Sequence, residues 1–301
     1  MTSRGKAITK SVIVATGNLN VPKRPLLASK LPPTVIQLDG MDYRRASLIE
    51  PGAVLVVGCG NSGGQIAEDL VHSGKKVFLA IGRNGRVPRR YRGLDISLWL
   101  EKTGRYDMPR TSKTGRPLLG ATHTISLQAL SAQGVVMLGR FIDVDSSGKL
   151  VFADDLQENA KFGDQVSADL KSEIDNFIAS QGLSVGPAQI DEAEAAVAQF
   201  PEPPILSLDL VANNISTVIW CVGFVGDFSW VHVPGAIDER GCPLQERCIS
   251  VPGIYFSGLD TSLAFKSGTI LAAAQESQFI ADHITKSAVA GLENKGGPPL
   301  P

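Results

Sequence analysis

"VLVVGCGNSGGQIAEDL", Val54 to Leu70, joins a β-branched run, a glycine turn and a helical pattern without a break. Val54–Val57 has the continuous apolar signature of a strand buried on both faces. In the helical part, from about Ser62 to His72, the residues Ile66, Ala67 and Leu70 fall on one face. Between strand and helix, Gly58, Gly60 and Gly63 take the glycine positions of G-x-G-x-x-G. Gly58 permits the tight turn, Gly60 lets a ligand's phosphates approach the backbone, and Gly63 lets the helix pack closely on the strand. The amides of Asn61, Ser62, Gly63 and Gly64 open the helix, where unpaired N–H groups and the helix dipole favour an anion. The pattern is that of a dinucleotide pyrophosphate cradle rather than of a bare structural turn.

The following strand, "KKVFLAIG" from Lys75 to Gly82, completes a βαβ unit. NAD-binding proteins tend to carry an acid at the end of this strand, bonded to the ribose 2′-hydroxyl. Here Gly82-Arg83 stands in that place, and Arg86, Arg89, Arg90 and Arg92 follow in "GRNGRVPRRYRG". A carboxylate repels a 2′-phosphate, whereas a guanidinium grips it with paired hydrogen bonds. The reading favours NADP, held by Arg83 and Arg86, over a solvated basic loop or a weak nucleic-acid patch. Two facts support that choice: the formal net charge is −1, and Tyr91 is the sole aromatic residue in the basic stretch.

Working outward, "SVIVATG" (Ser11 to Gly17), "STVIWCVG" (Ser216 to Gly223) and "GIYFSG" (Gly253 to Gly258) read as further strands. The proline-rich "NVPKRPLLASKLPPTV" predicts an extended, non-helical connector. "GVVMLGRFIDVD" and "KLVFAD" predict a hairpin over Gly134 to Asp154, turning at "SSG". Helices are expected over Asp155 to about Ser180, in "DEAEAAVAQF", and from about Thr269 to Ile284. Alternating strands and helices give an α/β class with a mainly parallel sheet.

The 301 residues allow one large domain or two intertwined ones, and 43% hydrophobic content is ordinary for a globular protein. The charge balance gives no global pull toward nucleic acid or anionic lipid. No apolar run reaches the length of a membrane span. Cys59, Cys221, Cys242 and Cys248 fall in no metal spacing and no secretory framework, which favours free thiols in a reducing, cytoplasmic setting. His72, His123, His232 and His283 show no ligand spacing and read as structural or solvated; no metal site is expected.

Five blocks in order, "VIVATG", "VLVVGCGNSGGQIAEDL", "GRVPRRYRGLDI", "STVIWCVGFVGDFSWV" and "VPGIYFSGLDTSLAFKSG", resemble the flavin-containing monooxygenase family, above all its CzcO-like oxidoreductases. The resemblance implies a Rossmann-like flavoprotein with two dinucleotide-binding domains, the NADP domain inserted into the FAD domain. Residues 1–48 would be a remnant of the FAD domain and 49–214 the NADP domain with its helical elaboration. Residues 215–285 would return to the FAD domain, and 286–301 would form a disordered tail. The implied cofactors are NADP and FAD. By resemblance, Ala15, Thr16, Gly17, Gly223, Gly258, Lys266, Ser267 and Gly268 join the cofactor-binding residues. The implied chemistry is hydride transfer from NADPH to flavin and oxygenation of a small-molecule substrate. It comes from the cofactors, so no catalytic side chain is assigned.

The sequence departs from the family pattern in three places. Only Met1 to Lys10 precede the first block, where relatives carry a separate G-x-G-x-x-G for FAD, so the FAD domain is expected to be incomplete. Asp39 stands where relatives usually have histidine, and Val222 where they have threonine. The other class of function is therefore a non-catalytic NADP-binding module or remnant that no longer binds FAD. A homo-oligomer or a complementing polypeptide is the partner this reading expects, with no nucleic acid and no membrane.

Overall fold

Ala53–Val57 supplies five successive apolar residues, and the fold buries all of them. In the computed structural model, which describes residues 5–109, 116–260 and 262–293, this strand is the middle of a five-stranded sheet. The main elements, in chain order, are β1 (Val12–Val14), β2 (Ile36–Asp39), β3 (Ala53–Val57), α1 (Asn61–His72) and β4 (Val77–Ala80). There follow α2 (Ile96–Lys102), α3 (Leu127–Ala132), β5 (Val136–Leu138), β6 (Phe141–Val144), β7 (Leu150–Phe152) and α4 (Leu156–Gln181). Then come α5 (Glu192–Ala195), β8 (Ser207–Leu208), β9 (Ile215–Trp220), β10 (Ile254–Phe256) and α6 (Ile270–Glu293).

The chain forms two compact units, one of Met1–Val21, Gly104–Thr111 and Phe224–Pro301, the other of Pro22–Thr103 and Ser112–Gly223. The larger unit holds the five-stranded sheet, ordered β2-β9-β3-β4-β5, with every neighbouring pair parallel. Val54 and Val56 face a cluster containing Ile66, Ala67 and Leu70 of α1. Leu55 and Val57 face the opposite cluster, which contains Trp220 and Phe141. Both faces are thus covered, as a parallel sheet requires, and each fully buried branched residue contributes about 1.5–3 kcal/mol.

In the smaller unit, β1 and β10 pair in parallel register, Val12 with Ile254 through Val14 with Phe256. Val14, Phe228, Phe256 and Leu259 form its main cluster, and Tyr255 packs with Ile280 of α6.

The α/β class and the Rossmann-like βαβ core match the reading of the sequence. Several expectations need correction. Residues 22–48 and 215–223 fold with the larger unit, because β2 and β9 pair in register within its sheet. Gly104–Thr111, by contrast, groups with the smaller unit. The proline-rich connector contains a 3-10 turn at Leu26–Lys30, preceded by Pro25 at φ −68°, which is already near helical φ. "GVVMLGRFIDVD" is two strands in two sheets. Its first half pairs with β4, and the antiparallel hairpin is β6 with β7. The break falls at Gly139, where a Cβ would lie 1.9 Å from the Ala153 carbonyl oxygen. Finally, α6 continues to Glu293, past the expected start of the tail, and residues 294–301 lie outside the described residues. Among the described residues no helix is long and apolar enough to cross a membrane.

Candidate nucleotide-binding site

The turn between β3 and α1 is built by close approach. Gly58 has φ +106°, and a Cβ there would lie 2.4 Å from the Cys221 carbonyl oxygen. A Cβ on Gly63 would lie 1.8 Å from the Gly58 carbonyl oxygen, so the helix seats directly on the turn. A Cβ on Gly64 would lie 2.7 Å from the nearest methyl of Leu118. Gly60 differs from all three. A Cβ there would meet nothing within 4 Å. Its backbone, at φ −73° and ψ −169°, suits any residue, so no intramolecular reason requires glycine there.

The first hydrogen bond of the helical ladder runs from the Gly64 amide to the Gly60 carbonyl. The amides of Asn61, Ser62 and Gly63 precede it and have no acceptor of their own helix. A diphosphate fits this open, donor-lined cradle. Around it, the Asn61 side-chain oxygen accepts from the Leu119 amide at 2.6 Å, and the Asn84 amide donates to the Cys59 carbonyl at 3.2 Å. Asn61 is thereby a scaffold for the turn, and Ser62 stays exposed beside it. Burial pushes the Cys59 thiol up to about 11 and the Cys221 thiol to about 12, the latter helped by the Asp39 charge. Both are packing groups at neutral pH rather than nucleophiles.

The two arginines selected from the sequence part company. Arg83 is exposed, 3.1 Å from Glu158, with its guanidinium 4.2 Å from the Phe162 ring centre. An exposed pair of this kind is worth at most about 1 kcal/mol, so it holds Arg83 only loosely. Arg86 is 6% exposed and lies between Asp164 and Glu194. Glu194 also accepts from Lys171 and from Ser167. Arg86 therefore tethers α4 and α5 instead of presenting a charge to a ligand. Arg89 and Arg92 are likewise paired, with Asp95 and Asp175.

Gly223, at φ +96°, follows Cys221 and Val222 at the same end of the sheet, and Val222 is 36% exposed. Asp39 at the end of β2 pairs with Arg24 at 3.0 Å, and Tyr43 donates to Asp69. The histidine position is thus filled by an acid committed to a surface ion pair.

In the smaller unit, Gly17 and Gly258 are neighbours; a Cβ on Gly17 would lie 3.7 Å from the Gly258 carbonyl oxygen. Ala15 and Thr16 are exposed beside them. The turn from Gly258 to Gly268 spends its donors internally. The Gly258 amide donates to Glu276 at 2.7 Å, and the Leu263 and Ala264 amides donate to the buried Ser267 hydroxyl. The Phe265 and Lys266 amides donate to the Met108 and Tyr106 carbonyls, and the Lys266 ammonium pairs with Asp107 at 2.6 Å. Gly268, at φ +77°, crowds Asp260, where a Cβ would lie 2.9 Å from its Cα. The residues expected to face a flavin are all present, but these polar groups do not form an open cradle for one.

Sequence reasoning missed Glu276, which is fully buried. It also missed the clamp of Tyr106 to Met108, whose ring stacks on Phe265 at 6.3 Å. An acid inside an amphipathic helix carries no local mark of burial, and a loop far away in sequence carries none of its docking.

The five-stranded parallel sheet and the glycine turn between β3 and α1 define a Rossmann-like α/β fold. No family model matches the chain. It is 26% identical to the CzcO-like oxidoreductase of Geobacillus kaustophilus over 285 residues, 94% of this chain and 67% of that protein. It is 26% identical to the CzcO oxidoreductase of Bacillus subtilis over 259 residues, 86% of this chain and 60% of that protein. A flavin monooxygenase from Stenotrophomonas maltophilia, solved as a double mutant, matches the fold with TM-score 0.55 at 14% identity, covering 92% of this chain and 63% of that one. The resemblance seen in the sequence is borne out: the chain is similar to the CzcO-like oxidoreductases, and its fold is like that of a flavin monooxygenase. It spans 60% to 67% of the length of those curated relatives.

Proposed function

We propose that this chain binds NADP(H) on the Gly58–Gly64 turn, as the nucleotide-binding part of a flavin-dependent oxidoreductase of the monooxygenase type acting on a small molecule. The observation that carries the reading is Gly60: its position is open, its conformation needs no glycine, and its neighbours are helix-opening amides. A ligand pressed against the backbone accounts for that combination, which supports the reading. Asn61, Ser62 and Gly63 hold the diphosphate through main-chain N–H groups, with Gly64 closing the first helical bond. Arg83 meets the 2′-phosphate, stacked on Phe162 and released from Glu158. Arg86 fixes the loop on which Arg83 stands. A flavin held with this chain would supply the redox and oxygenation chemistry, while Asn61, Ser62, Gly63 and Arg83 would hold and orient the nicotinamide nucleotide.

Titration of the purified chain with NADPH and NADH, followed by nicotinamide fluorescence, tests the assignment. Arg83→Ala is expected to weaken NADPH by about 1.5–3 kcal/mol, tenfold or more, and NADH far less. Equal losses for the two would overturn the 2′-phosphate role. The visible spectrum tests the flavin part. A flavin band bleached by NADPH supports the oxidoreductase, whereas a colourless protein that binds NADPH saturably restricts this chain to a nucleotide-binding module.

A further inference from the structure

A cavity of about 570 Å³ opens in the larger unit, at the far end of α1 from the glycine turn. Glu68 and His72 of α1 contribute to its wall. His72 lies about 16 Å along the helix axis from Asn61, at about 1.5 Å per residue, so this space is separate from the phosphate cradle. Its volume falls within the range of about 300–1,000 Å³ usual for small-ligand sites. Ile125 and Leu130, both almost fully buried, are among its lining residues.

Several polar groups on the wall are already committed. Glu68 pairs with the His123 ring at 2.9 Å. Asp191 accepts from the Thr124 hydroxyl and caps α5 through the Ala193 amide at 3.0 Å. Arg89 is held by Asp95. Four other lining residues, Arg90, His72, Gln133 and Glu192, have side chains with no partner among the described residues. A guanidinium, an imidazole and an amide are thus left over together with one carboxylate, around apolar side chains.

We infer that this cavity is a second ligand site, which takes a small zwitterion of the amino-acid type. The ligand's carboxylate lies on Arg90, with His72 and Gln133 donating, its ammonium on Glu192, and its aliphatic part over Ile125 and Leu130. A purely anionic ligand leaves Glu192 unpaired and facing a like charge, and a purely cationic one does the same to Arg90.

Three probes with the same aliphatic tail separate these cases: L-norvaline, valerate, which lacks the ammonium, and butylamine, which lacks the carboxylate. In amide-resolved NMR titrations of the full chain, norvaline is expected to shift Thr122–Ser126 and Asp191–Ala193 saturably, with the other two about tenfold weaker or worse. Arg90→Ala and Glu192→Gln each remove exposed groups, so their thermal midpoints are expected to stay unchanged while norvaline binding falls about tenfold. The inference is overturned if norvaline gives no saturable shift, if valerate or butylamine binds as well, or if Arg90→Ala binds as the parent does. The readout contains no nucleotide, so its failure leaves the NADP assignment standing.

Discussion

The two glycine-marked turns, Gly58–Gly64 and Gly258–Gly268, look alike as sequence: a buried strand, clustered glycines, a helix. Their hydrogen bonds separate them. In the first turn, the amides of Asn61, Ser62 and Gly63 precede the helical ladder, and Gly60 opens on empty space. In the second, the Gly258, Leu263, Ala264, Phe265 and Lys266 amides are bonded to Glu276, Ser267, Met108 and Tyr106. The comparison teaches that a glycine turn is a ligand cradle only where its donors are left unspent. Closely packed glycines by themselves say that the backbone is crowded.

If that is right, substitutions in the two turns fail differently. The largest effect is expected for Gly63→Ala, whose new methyl would lie 1.8 Å from a backbone oxygen with no flexible side chain to yield. It should cost about 3 kcal/mol or more in urea unfolding, beyond ordinary overpacking. A variant as stable as the parent would show that helix and turn are not in the described contact. Next is Glu276→Ala, which strands the Gly258 amide and the Ser257 hydroxyl in a partly buried place. About 2 kcal/mol of stability should be lost, with Glu276→Gln recovering part of it. If stability is kept but cofactor binding drops, the second turn is a cradle after all, and the comparison breaks.

Gly60→Val sharpens the contrast from the other side. Its thermal midpoint should equal that of the parent while NADPH affinity falls by about tenfold, about 1.4 kcal/mol. Unchanged affinity would move the phosphates elsewhere.

The smallest effect is a pH dependence. Burial alone would raise the Glu194 carboxyl, but hydrogen bonds from Lys171 and Ser167 and the Arg86 charge outweigh it and hold it below the usual carboxylate range. A depressed folded value means stability that is fully present above the unfolded value, about 4.3, and lost as pH falls through the folded one. The stability gap between the parent and Glu194→Gln should therefore close below about pH 4.3. A gap constant from pH 7 to 3 would remove Glu194 from the tether that holds Arg86 away from solvent.

Periodicity and spacing made much of the fold legible. The buried strands at Ala53–Val57 and Val77–Ala80 and the helix between them could be read locally, because each face of a parallel sheet imposes its own run of apolar residues. The 26-residue α4 was legible for the same reason, its apolar positions recurring at helical spacing. The split of "GVVMLGRFIDVD" between two sheets was not. Nothing local marks which partner a strand will find, and Gly139 acquires its meaning only against Ala153. The site divides in the same way. Gly58, Gly60 and Gly63 could be assigned separate tasks from spacing alone, whereas Arg83 and Arg86 are indistinguishable as letters.

The sequence by itself determined the βαβ core, the glycine turn at a helix N-terminus, and the positive charge at the end of β4, because these depend on residues close together in the chain. Only the tertiary structure decided which arginine faces solvent, which turn keeps its amides free, and that an acid in α6 closes the other turn. Those outcomes rest on partners far away in sequence: Asp164 and Glu194 for Arg86, Glu276 for Gly258, and Tyr106 to Met108 for Phe265 and Lys266. A donor's availability is a property of the folded chain, since it is settled by whichever acceptor the fold brings within reach.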